Sequence, residues 1–301
     1  MAASQLATTA QMEEMLVKYS CWVFDCDGTL WKGNELIPGV KEALQLLRDK
    51  GKQVLFVTNN SMKSRASFKT KFDDLGLAVA QEEIYSSSYS AAAYLKSVGF
   101  TKKAYVLGER GIAEELAAAG IPSLGGPDHN GRRVDWTPID VDPEIGAVVC
   151  GVDPGLSYYK VAYASLCLQN NPGCLFIATN TDACGHFIAT QEWPGAGATV
   201  AAVKAVTGRE PIVTGKPAPF MMEDVCCTHA TTPATMLMVG DRLDTDIAWG
   251  HNTGMGTLLV LTGVVTAADL ASARARPGFQ EPDYLMASFG DLLALQGAAA
   301  R

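Results

Sequence analysis

Cys21-Trp22-Val23-Phe24-Asp25-Cys26-Asp27-Gly28-Thr29 is an apolar run that ends in two carboxylates one residue apart. A short run of large apolar residues bounded by a turn signal reads as a buried strand. Asp25 and Asp27 then stand at its carboxyl end, where open α/β sheets bind their ligands. Two such acids repel each other and resist desolvation unless something positive sits beside them. A divalent cation meets that need, and Mg²⁺ is held by one or two carboxylates together with a substrate phosphate. Taken alone, the stretch has a plain turn as its lesser reading, because Asp and Gly dominate turns.

Reading outward, a helix over 40–49 and a strand over 53–57 follow, then helices over 62–74 and 88–98. Short β-branched and aromatic runs separated by helical periods mean βαβ units and a parallel sheet. A second set lies within 102–208, with strands over 104–107, 147–149 and 175–178 and helices over 112–119 and 157–169. The stretch 123–143, rich in Gly, Pro, Asp and Asn, reads as a long surface excursion of that second unit. After Pro211 the first pattern resumes: a strand around Ile212, a helix from Pro219, a strand over 236–239, a helix from Thr245 and a strand over 257–261. The expected fold is α/β, a Rossmann-like doubly wound parallel-sheet core with a smaller α/β cap domain inserted. The core comprises 1–101 and 209–301, and the cap 102–208.

Composition narrows the class of function. At 301 residues and 48% hydrophobic content the chain can bury a full core. No run approaches the roughly 18 apolar residues of a membrane span. A formal net charge of -8 argues against general binding to nucleic acid or an anionic membrane, so a bound phosphate must be held by local groups. The eight cysteines lie mostly in apolar runs, without finger spacing or a disulfide framework, which suits a reducing compartment. Cys226-Cys227 and Cys26 read as buried structural thiols, with redox sensitivity as the other reading. The opening residues 1–10 are small and uncharged, neither a good secretory signal nor a complete transit peptide.

Three further sites share the position of Asp25, just past an apolar run. Thr58-Asn59-Asn60-Ser61 follows the strand over 53–57, Lys216-Pro217 follows Ile212-Val213-Thr214-Gly215, and Gly240-Asp241-Arg242-Leu243-Asp244-Thr245-Asp246 follows 236–239. Each alone is ordinary: a helix N-cap, a solvated lysine before a turn, an acidic surface turn. All four strand ends in order would face one crevice.

Together these residues resemble the four signature motifs of the haloacid dehalogenase superfamily, over nearly the whole chain. The resemblance implies that Asp25 is a nucleophile attacking phosphorus to form an aspartyl-phosphate. Asp27 would protonate the leaving alkoxide and then activate water. A carboxylate at the place of Asp27 points to a phosphatase or phosphomutase, because members that act otherwise lack it. Thr58 and the amides around Asn59, Asn60 and Ser61 would hold phosphoryl oxygens, and Lys216 would neutralise charge. Asp25, Asp241 and the main-chain carbonyl of Asp27 would hold Mg²⁺, with Asp246 orienting its waters.

A cap inserted between the second and third motifs resembles the large-capped branch that includes 4-nitrophenylphosphatase-like, pyridoxal phosphate and phosphoglycolate phosphatases. Within it, 178–183, His186 and Gln191-Glu192-Trp193-Pro194-Gly195-Ala196-Gly197 look like the plant-type phosphoglycolate phosphatases. That resemblance implies a small phosphorylated metabolite, 2-phosphoglycolate, hydrolysed in photorespiratory salvage, with His186 or Arg65 meeting its carboxylate. A pyridoxal phosphate or broad small-metabolite phosphatase is the alternative, although Cys184-Gly185 displaces His186 by one place from the pyridoxal pattern. Large-capped relatives pair through their caps, so a homodimer is expected. The chloroplast stroma, for a mature form, or the cytoplasm is the expected location.

Overall fold

A computed structural model describes residues 6–188 and 191–294, without the side chains of 186–188. The chain forms two compact units. One is built from the chain up to Val57, from 72–84 and from Lys216 onward; the other from 58–71 and 85–215. The 102–208 stretch falls wholly inside the second, which also takes in 58–71, 85–101 and 209–215. No helix among the described residues is long and apolar enough to cross a membrane.

The first unit is organised by the strand Cys21–Phe24, all four of whose residues are buried. It pairs in parallel with Met236–Gly240 on one side and Gln53–Thr58 on the other, so that Phe24 faces Val239 and Phe56. Beyond Met236–Gly240 lie Gly256–Val260 and then Tyr284–Met286, also parallel, which makes five strands of a six-stranded sheet. Strand order reverses between Cys21–Phe24 and Met236–Gly240, and the carboxyl ends at that reversal are Asp25 and Asp241. Crevices outside such a reversal are where doubly wound sheets bind ligands.

Packing holds those ends in place. Phe24 meets Phe289 edge-on at 4.7 Å, Phe56 lies 4.7 Å from Phe72, and Phe72 meets Trp31 at 5.0 Å. Val40–Asp49 turns Val40, Ala43, Leu44 and Leu47 inward at helical spacing. A second cluster joins Ile247, Leu259, Val265, Leu270 and Leu285. The short hairpin Trp31–Lys32 with Glu35–Leu36, absent from the sequence reading, is too short to show any period.

The second unit has its own five-stranded sheet, ordered Ile212–Val213, Leu175–Ala178, Ile145–Cys150, Lys103–Leu107, Ser123–Gly125, with every pair parallel. Alternate residues of these strands feed two cores. Tyr105, Val148 and Phe176 join one that includes Tyr163 and Val200 of two helices, while Val106, Val149 and Ile177 join another with Leu95 and Leu116. A sheet covered on both faces requires its strands to be apolar throughout.

Four expectations need correction. The strand at Ile212 belongs to the second sheet rather than the core, with Ile212 opposite Ile177 and Val213 opposite Ala178. Two apolar residues carry no facing pattern, so only tertiary pairing decides which sheet they join. The expected excursion over 123–143 begins with the edge strand Ser123–Gly125 and a 3₁₀ turn, Gly126–His129, whose His129 is buried. The helix expected from Met62 starts at Arg65, because the Asn60 side chain accepts the Met62 N–H (3.0 Å) and Ser64 Oγ accepts that of Ser67 (3.3 Å). The helix expected from Thr245 is preceded by a π-helical turn, Leu243–Ile247, closed by Ile247 N–H to the Arg242 carbonyl at 3.1 Å. The helix Ala196–Thr207 and the hairpin Cys184–Ile188 with Gln191–Pro194 were not read from the sequence. None of the eight cysteines is in a disulfide; Cys21, Cys26, Cys150, Cys167 and Cys174 are buried, and Cys227 is exposed.

Candidate active site

Lys216, 1% exposed, is the positive group that the opening carboxylates require. Its ammonium donates to Asp25 Oδ1 at 2.6 Å, to Asp246 Oδ1 at 2.8 Å and to the Val57 carbonyl at 3.3 Å. Three donors meet three acceptors. Burial works to lower the Lys216 pKa, but Asp246 and Asp25 outweigh it and hold the group protonated. Burial pushes Asp25 well up; Lys216 pulls it back, while Asp246 and Asp241 add to the rise. Asp25 Oδ2 takes no hydrogen bond from any described residue.

Asp241 and Asp246 complete the cluster. Asp246 Oδ2 accepts the backbone N–H groups of Asp241 (3.1 Å) and Arg242 (3.0 Å), so both its oxygens are engaged. Asp241 Oδ2 accepts Val264 N–H at 2.6 Å, whereas its Oδ1 is buried with no partner among the described residues. Burial, then Asp246, push the Asp241 carboxyl up to about 7, against the Val264 N–H, Lys216 and Arg242. Asp27 is different. It is exposed, and its Oδ1 accepts the Trp31 indole N–H at 2.7 Å.

Oxygens of Asp25, Asp241 and Asp246 lie within 4.8 Å of one another. Three buried carboxylates face one ammonium, and a buried acceptor without a donor is costly. An all-oxygen donor set with an orphaned Asp241 Oδ1 therefore fits a hard divalent cation. Asp25 and Asp241 are the carboxylates with oxygens to offer it.

Within the second unit, Thr58 to Ser61 form a built turn. Thr58 Oγ1 accepts the Asn60 N–H at 3.1 Å, and Ser61 Oγ accepts that of Val152 at 3.4 Å. Asn59 is fixed from both ends: its Nδ2 donates to both oxygens of Asp182 (3.0 and 3.2 Å), and its carbonyl accepts Asn180 Nδ2 (2.7 Å) and Ser87 Oγ (2.6 Å). Arg65 is partly committed. Its guanidinium lies 3.8 Å from the Tyr89 ring centroid and its Nε 3.4 Å from Glu115 Oε2. The side chain of His186 lies outside the described residues.

Sequence reasoning did not single out Trp31 or the segment Thr262 to Val264 beside Asp27, Gly28 and Asp241, nor Ser87 and Glu115 beside Asn59 and Arg65. Thr262 follows an apolar strand as Asp25 does, and that was the available signal. Asp182 and Asn180 appeared only as a pattern of letters.

Residues 22–122 match the haloacid dehalogenase-like hydrolase family, and residues 213–292 match the HAD-hydrolase-like family. Phosphoglycolate phosphatase 2 of Arabidopsis thaliana is 48% identical over 97% of this chain and 98% of its own length. The chain belongs to the haloacid dehalogenase-like hydrolases. Phosphoglycolate phosphatase 1A, chloroplastic, of the same plant is 46% identical over 99% of this chain and 82% of its own. The p-nitrophenyl phosphatase from Archaeoglobus fulgidus superposes with a TM-score of 0.80 at 30% identity, over 92% of this chain and 99% of that one. The enzyme is thus a phosphoric monoester hydrolase of this family.

Removing the central cation tests the electrostatic arrangement. Lys216→Met strands Asp25 and Asp246 as uncompensated buried charges and is expected to cost about 3–5 kcal/mol near neutral pH. Without Lys216 to pull it back, burial raises the Asp25 carboxyl further above its unfolded-chain value, so the deficit relative to the unaltered enzyme shrinks as pH falls. Urea unfolding of both proteins at pH 7.5 and pH 5 measures this; a deficit that stays the same would refute it.

Proposed function

We propose that the enzyme is a Mg²⁺-dependent phosphatase that hydrolyses 2-phosphoglycolate to glycolate and phosphate through an aspartyl-phosphate on Asp25. The observation that carries the chemistry is the contrast between two carboxylates of one motif. Asp25 is buried on Lys216 with Oδ2 unclaimed, and Asp27 is exposed and aimed by Trp31. A nucleophile and a proton carrier need just such different surroundings.

In the first step an Asp25 carboxylate oxygen forms a bond to phosphorus as the phosphorus–alkoxide bond breaks. Asp27, protonated, gives its proton to the leaving alkoxide. In the second step Asp27 takes a proton from water, whose oxygen attacks the same phosphorus, releasing phosphate and regenerating the Asp25 carboxylate. Lys216 offsets negative charge on Asp25 and on the transferring group. Thr58, with the amides around Asn59, Asn60 and Ser61, binds the phosphoryl oxygens. Asp25, Asp241 and the Asp27 carbonyl would hold Mg²⁺, which when bound neutralises phosphoryl charge. Asp246 positions Lys216 and the Asp241 backbone beside it.

Likeness to the Arabidopsis phosphoglycolate phosphatases supports the substrate and a place in photorespiratory salvage. The unit around 102–208 acts as the cap, with Arg65 or His186 reading the substrate carboxylate. Exposed apolar side chains in that unit, Trp136 (82%) and Tyr158 (68%) meeting at 5.9 Å with Leu156 and Val206 also exposed, support a homodimer through the cap. One relative is named chloroplastic and another is not, so the stroma is proposed with the cytoplasm as alternative. Light scattering and a fluorescent fusion check assembly and compartment, respectively.

Asp25→Asn is expected to abolish turnover with the fold retained, and Asp27→Asn to slow it by about 10²–10⁴-fold. Substrate labelled in its phosphoryl group should leave label on acid-quenched enzyme but not on Asp25→Asn. Full activity in Asp25→Asn would defeat the mechanism, and a preference for pyridoxal phosphate or a sugar phosphate over phosphoglycolate would defeat the substrate.

Cation binding should depend on pH. An Asp241 carboxyl near 7 without cation is partly protonated below that pH and must ionise to bind. Calorimetric Mg²⁺ affinity is expected to rise from pH 6 to pH 8, with proton release at pH 6 that is lost in Asp241→Asn.

A further inference from the structure

The turn after the strand Gly256–Val260 touches Asp241 at two points and Gly28 at a third, although it carries no charged side chain. Val264 N–H donates to Asp241 Oδ2 at 2.6 Å, and Val265 N–H to the Asp241 carbonyl at 3.2 Å. Thr262 Oγ1 donates to the Gly28 carbonyl at 2.7 Å. Gly263 lies so close that a Cβ there would sit 1.9 Å from Asp241 Oδ2. Gly28, at φ +86°, approaches the same oxygen, and a Cβ there would fall at 2.6 Å from it.

These contacts limit what Asp241 can do. Its Oδ2 is engaged and walled by the Gly28 and Gly263 backbones, so the carboxylate presents Oδ1 alone. Gly28 is held at both ends, its carbonyl by Thr262 and its N–H by the Trp31 carbonyl at 2.8 Å. Because the Gly28 N–H shares a planar peptide with the Asp27 carbonyl, fixing one fixes the direction of the other. Ca²⁺ tolerates six to eight ligands and takes carboxylates by both oxygens, whereas Mg²⁺ requires near-ideal octahedral geometry.

We propose that Thr262-Gly263-Val264 is a positioning turn that makes Asp241 a one-oxygen ligand and, through the Gly28 carbonyl, steadies the residue that follows Asp27, and so sets the preference of the site for Mg²⁺ over Ca²⁺. This rests on the cation reading above. Partners that orient a ligand typically account for about 10–100-fold in metal affinity. Thr262→Val removes the hydroxyl at nearly constant volume and frees the Gly28 carbonyl. Thr262→Ser keeps the donor.

Calorimetric titration of the full chain with Mg²⁺ and separately with Ca²⁺, without substrate, tests the proposal. Thr262→Val is expected to weaken Mg²⁺ binding about tenfold or more and Ca²⁺ binding less, which narrows the preference, and Thr262→Ser to restore it. Gly263→Ala should narrow it as well. If Asp241→Asn abolishes Mg²⁺ binding while Thr262→Val retains the affinities of the unaltered enzyme, the positioning role is wrong and the cation reading stands. If Asp241→Asn binds Mg²⁺ as tightly as the unaltered enzyme, the cation reading itself fails and the turn has no such role.

Discussion

One buried ammonium shared between Asp25 and Asp246 is the interaction on which the site depends. Its parts come from three separated stretches of chain, and none is tolerable inside the protein without the others. A lone buried lysine would lose its proton and a lone buried carboxylate would gain one. Joined, they keep their charges in a dry setting, where charge acts more strongly on a reacting phosphoryl group than it does in water. The arrangement stores no surplus of stability, since desolvating ions offsets most of their attraction. What it secures is a carboxylate, Asp25, fixed in position.

The sheet is what makes that assembly possible. Parallel strands put all their carboxyl ends on one edge, and strand order reverses there between Cys21–Phe24 and Met236–Gly240, the place where doubly wound sheets bind ligands. Asp25 and Asp241 are simply the first residues past those two strands. Asp246 arrives through a π-helical turn that carries its carboxylate back under the amides of Asp241 and Arg242. A regular α-helical turn would close its hydrogen bonds one residue sooner.

Much was legible because the candidate residues are punctuation. Asp27-Gly28, Asn59-Asn60, Lys216-Pro217 and Gly240-Asp241 each interrupt an apolar run, and an interruption shows in a linear string. What stayed hidden was every contact made by backbone or by ordinary polar side chains. Val264 acts through its N–H, which any residue but proline would supply, so its identity carries no signal. Asn59 reads as a helix cap until Asp182 is found 123 positions away with both oxygens on its amide. Arg65 reads as an uncommitted guanidinium until Tyr89 and Glu115 are seen to hold it.

The sequence by itself determined that Cys21 to Phe24 is a buried strand, that two acids follow it, and that the chain is an α/β phosphatase of a recognisable kind. Periodicity and local turn chemistry suffice for the strand and its acids, because they act over a few residues; the phosphatase reading came from the resemblance of the ordered motifs to a known family. Tertiary structure alone decided that Ile212 and Val213 join the second sheet, since two apolar residues have no pattern to direct them. It alone gave Asp25 and Asp27 opposite environments, one buried on Lys216 and one exposed beside Trp31. The motif at positions 25 to 29 names two acids, to which the resemblance gives different roles; burial and partners, which depend on the whole fold, give them different surroundings.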